Sequence, residues 1–194
     1  EVRRENIKGV ESDSLLESFL RANDFPGDLL DIAELSVDDN AVLLQLSSDW
    51  EDLSIANATQ LIQGARDADV PVVFIQEAHR RDLIDFGREL DGVEGVHLLE
   101  GDHGTEIRPE IGMTENDYFI KKRRYSCFFG TDFELLMKGL HANTLIFIGG
   151  LTDVCVHYSF VDGHQNNYFC RVVEDSVTGS SVDAHKASLN AMEY

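Results

Sequence analysis

Five consecutive residues, Thr144-Leu145-Ile146-Phe147-Ile148, run without polar alternation into Gly149-Gly150, after which Leu151-Thr152-Asp153-Val154-Cys155 opens what reads as a helix. A strand without alternation is buried on both faces, and a strand passing directly into a helix is the unit from which parallel sheets are built. The same alternation holds from Ala41 onward. Val42-Leu43-Leu44 reads as a first strand, Ser54 to Ala68 as an amphipathic helix, and Val70 to Gln76 as a second strand. Asp117 to Lys121 follows as a third strand, Asp132 to Leu140 as a helix, and Thr144 to Ile148 as the fourth strand. Val154 to Gln165 is a helix, Tyr168 to Val173 the fifth strand, and Val182 to Tyr194 a last helix with Ser180-Ser181 as caps. The pattern predicts a three-layer α/β/α fold with a mostly parallel sheet of Rossmann-like topology. Its expected strand order is 3-2-1-4-5 with right-handed crossovers, and its site lies beyond the carboxyl ends of the strands.

A chain of 194 residues with 43% hydrophobic content can bury one substantial core, so a single domain over 41–194 is expected, preceded by an acidic arm over 1–40. That arm holds one helical candidate, Ser14 to Leu20, and a turn-like stretch from Asn23 to Asp28. The formal charge of -20 excludes nucleic acid as a natural partner, because it offers repulsion in place of counterion release. No apolar run approaches the roughly 20 residues of a membrane span, and the first residues lack an apolar signal core; the expectation is a cytoplasmic protein without a membrane partner. Cys127, Cys155 and Cys170 show no CxxC spacing, which favours a reducing compartment. Residues 78–116 form a long aperiodic stretch, expected to act as a lid or an oligomer contact.

Cys155 stands at a strand-to-helix corner, where unpaired N–H groups and partial positive charge favour a thiolate and can hold a developing oxyanion. The same position also suits an inert, buried cysteine. Lys122 closes the third strand and reads either as a site lysine or as one member of the solvated run Lys121 to Arg124. Strand alternation places Lys121 on the opposite side.

Taken together, Gly150-Leu151-Thr152-Asp153-Val154-Cys155-Val156 and Asp117 to Ser126 resemble the isochorismatase-like cysteine hydrolase superfamily, over about residues 41 to 194. Val161-Asp162-Gly163-His164-Gln165 and Arg171 to Ser176 are most similar to its biuret hydrolase group. The resemblance implies a hydrolase of a C–N bond in a small non-peptide amide or ureide, acting through a thioester-type intermediate. Cys155 is then the nucleophile and Lys122 its electrostatic partner. The N–H groups of Leu151 and Cys155 form the oxyanion hole, next to a cis peptide at Gly150-Leu151.

The family's base, an aspartate ending the first strand, matches Gln45 in Leu43-Leu44-Gln45-Leu46-Ser47-Ser48-Asp49-Trp50. An amide cannot accept the thiol proton at neutral pH, and a general base is typically worth about 10²–10⁴-fold. Moving the register to Ser47 restores no carboxylate. Three alternatives stay open: Asp49 substitutes, Lys122 and the helix N-terminus suffice without a base, or catalysis is lost and the pocket only binds a small ligand. An isochorismatase proper depends on that aspartate, so it is the least favoured relative.

The resemblance implies a homo-oligomer, dimer or tetramer, and a small-molecule amide or ureide as partner. No cofactor and no metal site are expected: the long loop has no Asp-x-His pair of the kind nicotinamidases use for zinc, and Asp102-His103 lacks convincing partners. Tyr125 and Phe128, just past Lys122, are candidate pocket walls.

Overall fold

The computed structural model describes residues 41–46, 52–92 and 94–193; the acidic arm, Ser47 and Asp49 lie outside them. Five strands form one all-parallel sheet: β1 (Ala41–Leu46), β2 (Val72–Glu77), β3 (Tyr118–Lys122), β4 (Thr144–Gly150) and β5 (Phe169–Thr178). Their order is β3-β2-β1-β4-β5, as the alternation of strands and helices predicts. Four α-helices accompany it among the described residues: α1 (Asp52–Asp67), α2 (Phe133–Gly139), α3 (His157–Gln165) and α4 (Val182–Met192).

Two apolar layers sandwich the sheet. Alternate residues Ala41, Leu43, Phe74, Ile146 and Ile148 pack on Ile55, Ala58, Leu61, Ile62 and Ala65 of α1, whose spacing of three and four residues makes one continuous stripe. Val42, Leu44, Val73, Ile75, Ile120, Leu145 and Phe147 point the other way, against Phe133, Met137, Val156 and the partly buried Leu189. Both layers use residues of the same strands, which is why β1 and β4 carry apolar residues continuously.

The strands run further than the apolar pattern does. β2, β3 and β4 reach Glu77, Lys122 and Gly150 because the hydrogen-bonded ladder continues past the last apolar residue, and those added positions bear the chemistry. The helix after β4 also differs. Thr152–Val156 forms one π turn before α3 begins at His157, so Cys155 sits inside that turn. The described part of 78–116 carries short 3-10 turns at Gly87–Asp91, His103–Thr105 and Pro109–Ile111 and a β-bridge between His79 and Leu99. Among the described residues, no helix is long and apolar enough to cross a membrane.

At Gly163 in α3, a Cβ would lie 2.8 Å from Cys170 Sγ and 3.3 Å from Leu145 Cδ1. Gly163→Ala is therefore expected to destabilise the fold by about 1–3 kcal/mol through overpacking. Thermal unfolding of the variant checks this; an unchanged midpoint would mean that Cys170 yields without cost.

Candidate active site

The parallel register pairs Glu77 of β2 with Lys122 of β3, and alternation from Ile75 and Ile120 turns both side chains toward the layer that holds Cys155. All three are buried, at 3%, 1% and 8% exposure. Cys155 Sγ lies 3.2 Å from Lys122 Nζ and donates to Glu77 Oε2 at 3.2 Å. Lys122 also donates to that carboxylate and, at 2.8 Å, to the carbonyl of Arg124. Lys121 points outward to Glu100, as strand alternation requires. The expected proximity of Lys122 and Cys155 is thus a direct contact, and Glu77 is a third member that the sequence did not single out.

The three charges set one another. Burial by itself raises the Glu77 pKa, but the His79 hydrogen bond, the Lys122 ammonium and the Cys155 thiol outweigh it and hold the carboxyl at about 2. Burial pushes the Cys155 thiol to about 12 despite Lys122, and Glu77 adds to the rise. Lys122 is held above its usual value, since its contacts with Cys155 and Glu77 overcome burial. At neutral pH the resting group is therefore carboxylate, ammonium and thiol. Burial and Glu77 thus oppose the thiolate that Lys122 favours, and the sulfur has a carboxylate beside it.

Glu77 and Cys155 line a cavity of about 850 Å³, with Lys122 enclosed behind them. Gln45, Tyr125, Gly150 and Leu151 line it together with Glu77 and Cys155, so these sequence-derived candidates come together. The Gly150-Leu151 peptide is cis, as the resemblance implies. Phe128 is a correction: it is not among the residues lining the cavity, and its partly buried ring packs edge-on against Phe133 at the side of the core, with centroids 4.7 Å apart. Asp49 lies outside the described residues. The long loop supplies the opposite wall through residues such as His97, Ile107 and Arg108.

A second cluster adjoins the thiol. Glu77, His79, Glu89 and His97 each offer one atom within 4.8 Å of the others. Glu77 divides its oxygens, Oε2 toward Cys155 and Oε1 toward His79 Nε2 at 3.3 Å. His79 Nε2 is also 3.3 Å from Glu89 Oε2, and among the described residues neither Glu89 oxygen has a hydrogen-bond partner. Two imidazoles and two carboxylates at this spacing could hold a first-row divalent ion. The expectation of no metal-ligating set thus needs correcting, because folding joins residues that are separate in sequence. The legible signal was Glu77-Ala78-His79 at a strand end, a carboxylate-x-histidine pair with glutamate where aspartate was sought. Asp102, by contrast, pairs with Arg81 at 2.8 Å.

Residues 42–194 match the isochorismatase domain. The chain belongs to that family. The ureidoacrylate amidohydrolase RutB of Yersinia enterocolitica is 30% identical over 156 residues, covering 72% of this chain and 68% of the relative. RutB of Rhizobium rhizogenes is 27% identical over 139 residues, covering 63% of this chain and 56% of the relative. The chain thus spans about half to two thirds of the length of these curated relatives. An isochorismatase-like hydrolase from Alkaliphilus metalliredigens superposes with a TM-score of 0.71 at 26% identity, over 79% of this chain and 91% of that one. N-carbamoylsarcosine amidase from Thermoplasma acidophilum gives 0.67 at 24%, covering 79% and 93%, a likeness of fold.

Proposed function

We propose that this isochorismatase-domain protein is a cysteine amidohydrolase cleaving a C–N bond of a small non-peptide amide or ureide. The observation that carries the reading is the Cys155 thiol placed 3.2 Å from both the Glu77 carboxylate and the Lys122 ammonium on the floor of a cavity. Similarity to ureidoacrylate amidohydrolases supports the same reaction class.

In this reading Glu77 supplies the base that Gln45 cannot. As Sγ attacks the carbonyl carbon, its proton passes to Glu77 Oε2, and the N–H groups of Leu151 and Cys155 receive the oxyanion. Collapse of the tetrahedral species breaks the C–N bond, and the proton on Glu77 moves to the leaving nitrogen. Water then attacks the thioester carbonyl, giving its proton to Glu77, and the thiol is restored as the product leaves. Lys122 remains protonated throughout and offsets the negative charge carried alternately by carboxylate and sulfur.

The family places this carboxylate at the end of β1; here it comes from the end of β2. A base in contact with the thiol removes the reason Gln45 offered for a pocket that only binds. Ammonia release from a panel of ureides and primary amides, including ureidoacrylate, biuret and benzamide, tests the reading. Release above the background set by Cys155→Ala supports it, and a panel without release from a folded sample rejects it.

A further inference from the structure

Gln45 is 1% exposed and faces the cavity, yet its Oε1 has no hydrogen-bond partner among the described residues. A buried acceptor left unpaired costs about 1–3 kcal/mol, and a bound donor recovers that cost. The donor that a side-chain amide oxygen takes is an N–H or O–H; a carboxylate, which only accepts, cannot serve.

The mouth of the same cavity is acidic. Glu94, Glu106 and Glu110 line it against one arginine, Arg108, whose Nε already lies 3.7 Å from Glu110 Oε2. His97, the nearer imidazole, is 3.7 Å from Glu94 and 3.9 Å from Glu89. The neighbouring cations are engaged inward: Lys122 with Glu77, Arg123 with Ala78 and Glu100, Arg124 with the carbonyl of Asp85. Among the described residues, every arginine or lysine at this site therefore has an acidic or carbonyl partner. Val96, Leu98, Ile107 and Val154 add apolar wall, enough for an uncharged substituent.

We propose that the pocket selects amides and ureides lacking a carboxylate, with Gln45 Oε1 accepting an N–H of the substrate and the glutamate-lined mouth repelling anions. The proposal rests on the amidohydrolase reading of the same site, and names the substrate class within it.

Matched pairs test it. 3-Ureidopropionate is compared with N-butylurea, and 4-carboxybenzamide with 4-methylbenzamide, using the full chain. One readout is kcat/KM for ammonia release; the other, independent of turnover, is the concentration that half-protects Cys155 from iodoacetamide. The uncharged member of each pair is expected to be favoured by at least about 10-fold at low ionic strength, the gap narrowing near 0.5 M salt as the exposed glutamates are screened. Glu106→Gln should narrow the gap as well. Gln45→Leu should raise KM and the half-protecting concentration of the uncharged members by about 10-fold, the weight of one hydrogen bond, with the alkylation rate of the free protein retained.

Carboxylate members that protect as well or better overturn the proposal, as do compounds that neither protect nor react. An unchanged KM and half-protecting concentration in a folded Gln45→Leu overturns the assignment of Gln45; should that variant fail to fold, the Glu106→Gln comparison and the salt dependence still decide the charge selection. Protection that follows charge without any ammonia release rejects the hydrolase reading and leaves the selectivity standing.

Discussion

Cys155→Ala is expected to lower amide hydrolysis by at least about 10⁴-fold, since neither of the other two cysteines is within reach of the same carbonyl. Cys127 is fully enclosed, with its pKa pushed up to about 12 mainly by burial, and Cys170 belongs to the core at the far side of α3. Cys155→Ser should lose nearly as much. A hydroxyl gives up its proton far less readily than a thiol, and Glu77, a carboxylate with a pKa of about 2, is too weak a base to compensate. Steady-state ammonia release from both variants, with far-UV circular dichroism as a check of folding, measures the effect. Wild-type-like turnover in Cys155→Ala would place the chemistry elsewhere.

Glu77→Gln should lower kcat by about 10²–10⁴-fold, because the side chain loses the ability to take the thiol proton and to return it to the leaving nitrogen. The same change should leave alkylation of Cys155 by iodoacetamide as fast as in the wild type, or faster. Glu77 opposes thiolate formation, whereas Lys122 favours it, so removing the carboxylate lowers the thiol pKa from about 12. Alkylation needs only the sulfur; hydrolysis needs the proton carried through both halves of the reaction. A variant that had merely lost its packing around Lys122 would lose both activities, and Glu77→Asp, which keeps the carboxylate, should recover part of kcat. Hydrolysis unaffected by Glu77→Gln would assign the base role to another residue.

Much of this site is readable along the chain because each part has a local cause. Gly149-Gly150 after an unbroken apolar strand marks the corner, and Cys155 and Lys122 stand at strand ends where parallel sheets gather function. Gln45 is legible as a departure, and the structure indeed places it in the cavity wall. Glu77 is different. Read alone, it is an acidic residue following an apolar strand, marked only by His79 two residues on, and nothing along the chain connects it to Cys155. Phe128 shows the reverse error: an aromatic beside site residues looks like a pocket wall until Phe133 is seen to cover it.

The sequence by itself determined the layer architecture and the strand order, while the cis corner at Gly150-Leu151 and the pairing of Lys122 with Cys155 were implied by the resemblance to the isochorismatase-like superfamily. The architecture and order follow from hydrophobic runs, turn residues and motif spacing, which act over short stretches. Tertiary structure alone decided which carboxylate meets the thiol and which imidazoles gather behind it. That depends on the register between β2 and β3, which aligns Glu77 with Lys122, 45 positions further along the chain. It depends also on burial. The same glutamate in water would be an ordinary surface charge; enclosed between an ammonium and a thiol, it stays ionised while the sulfur keeps its proton.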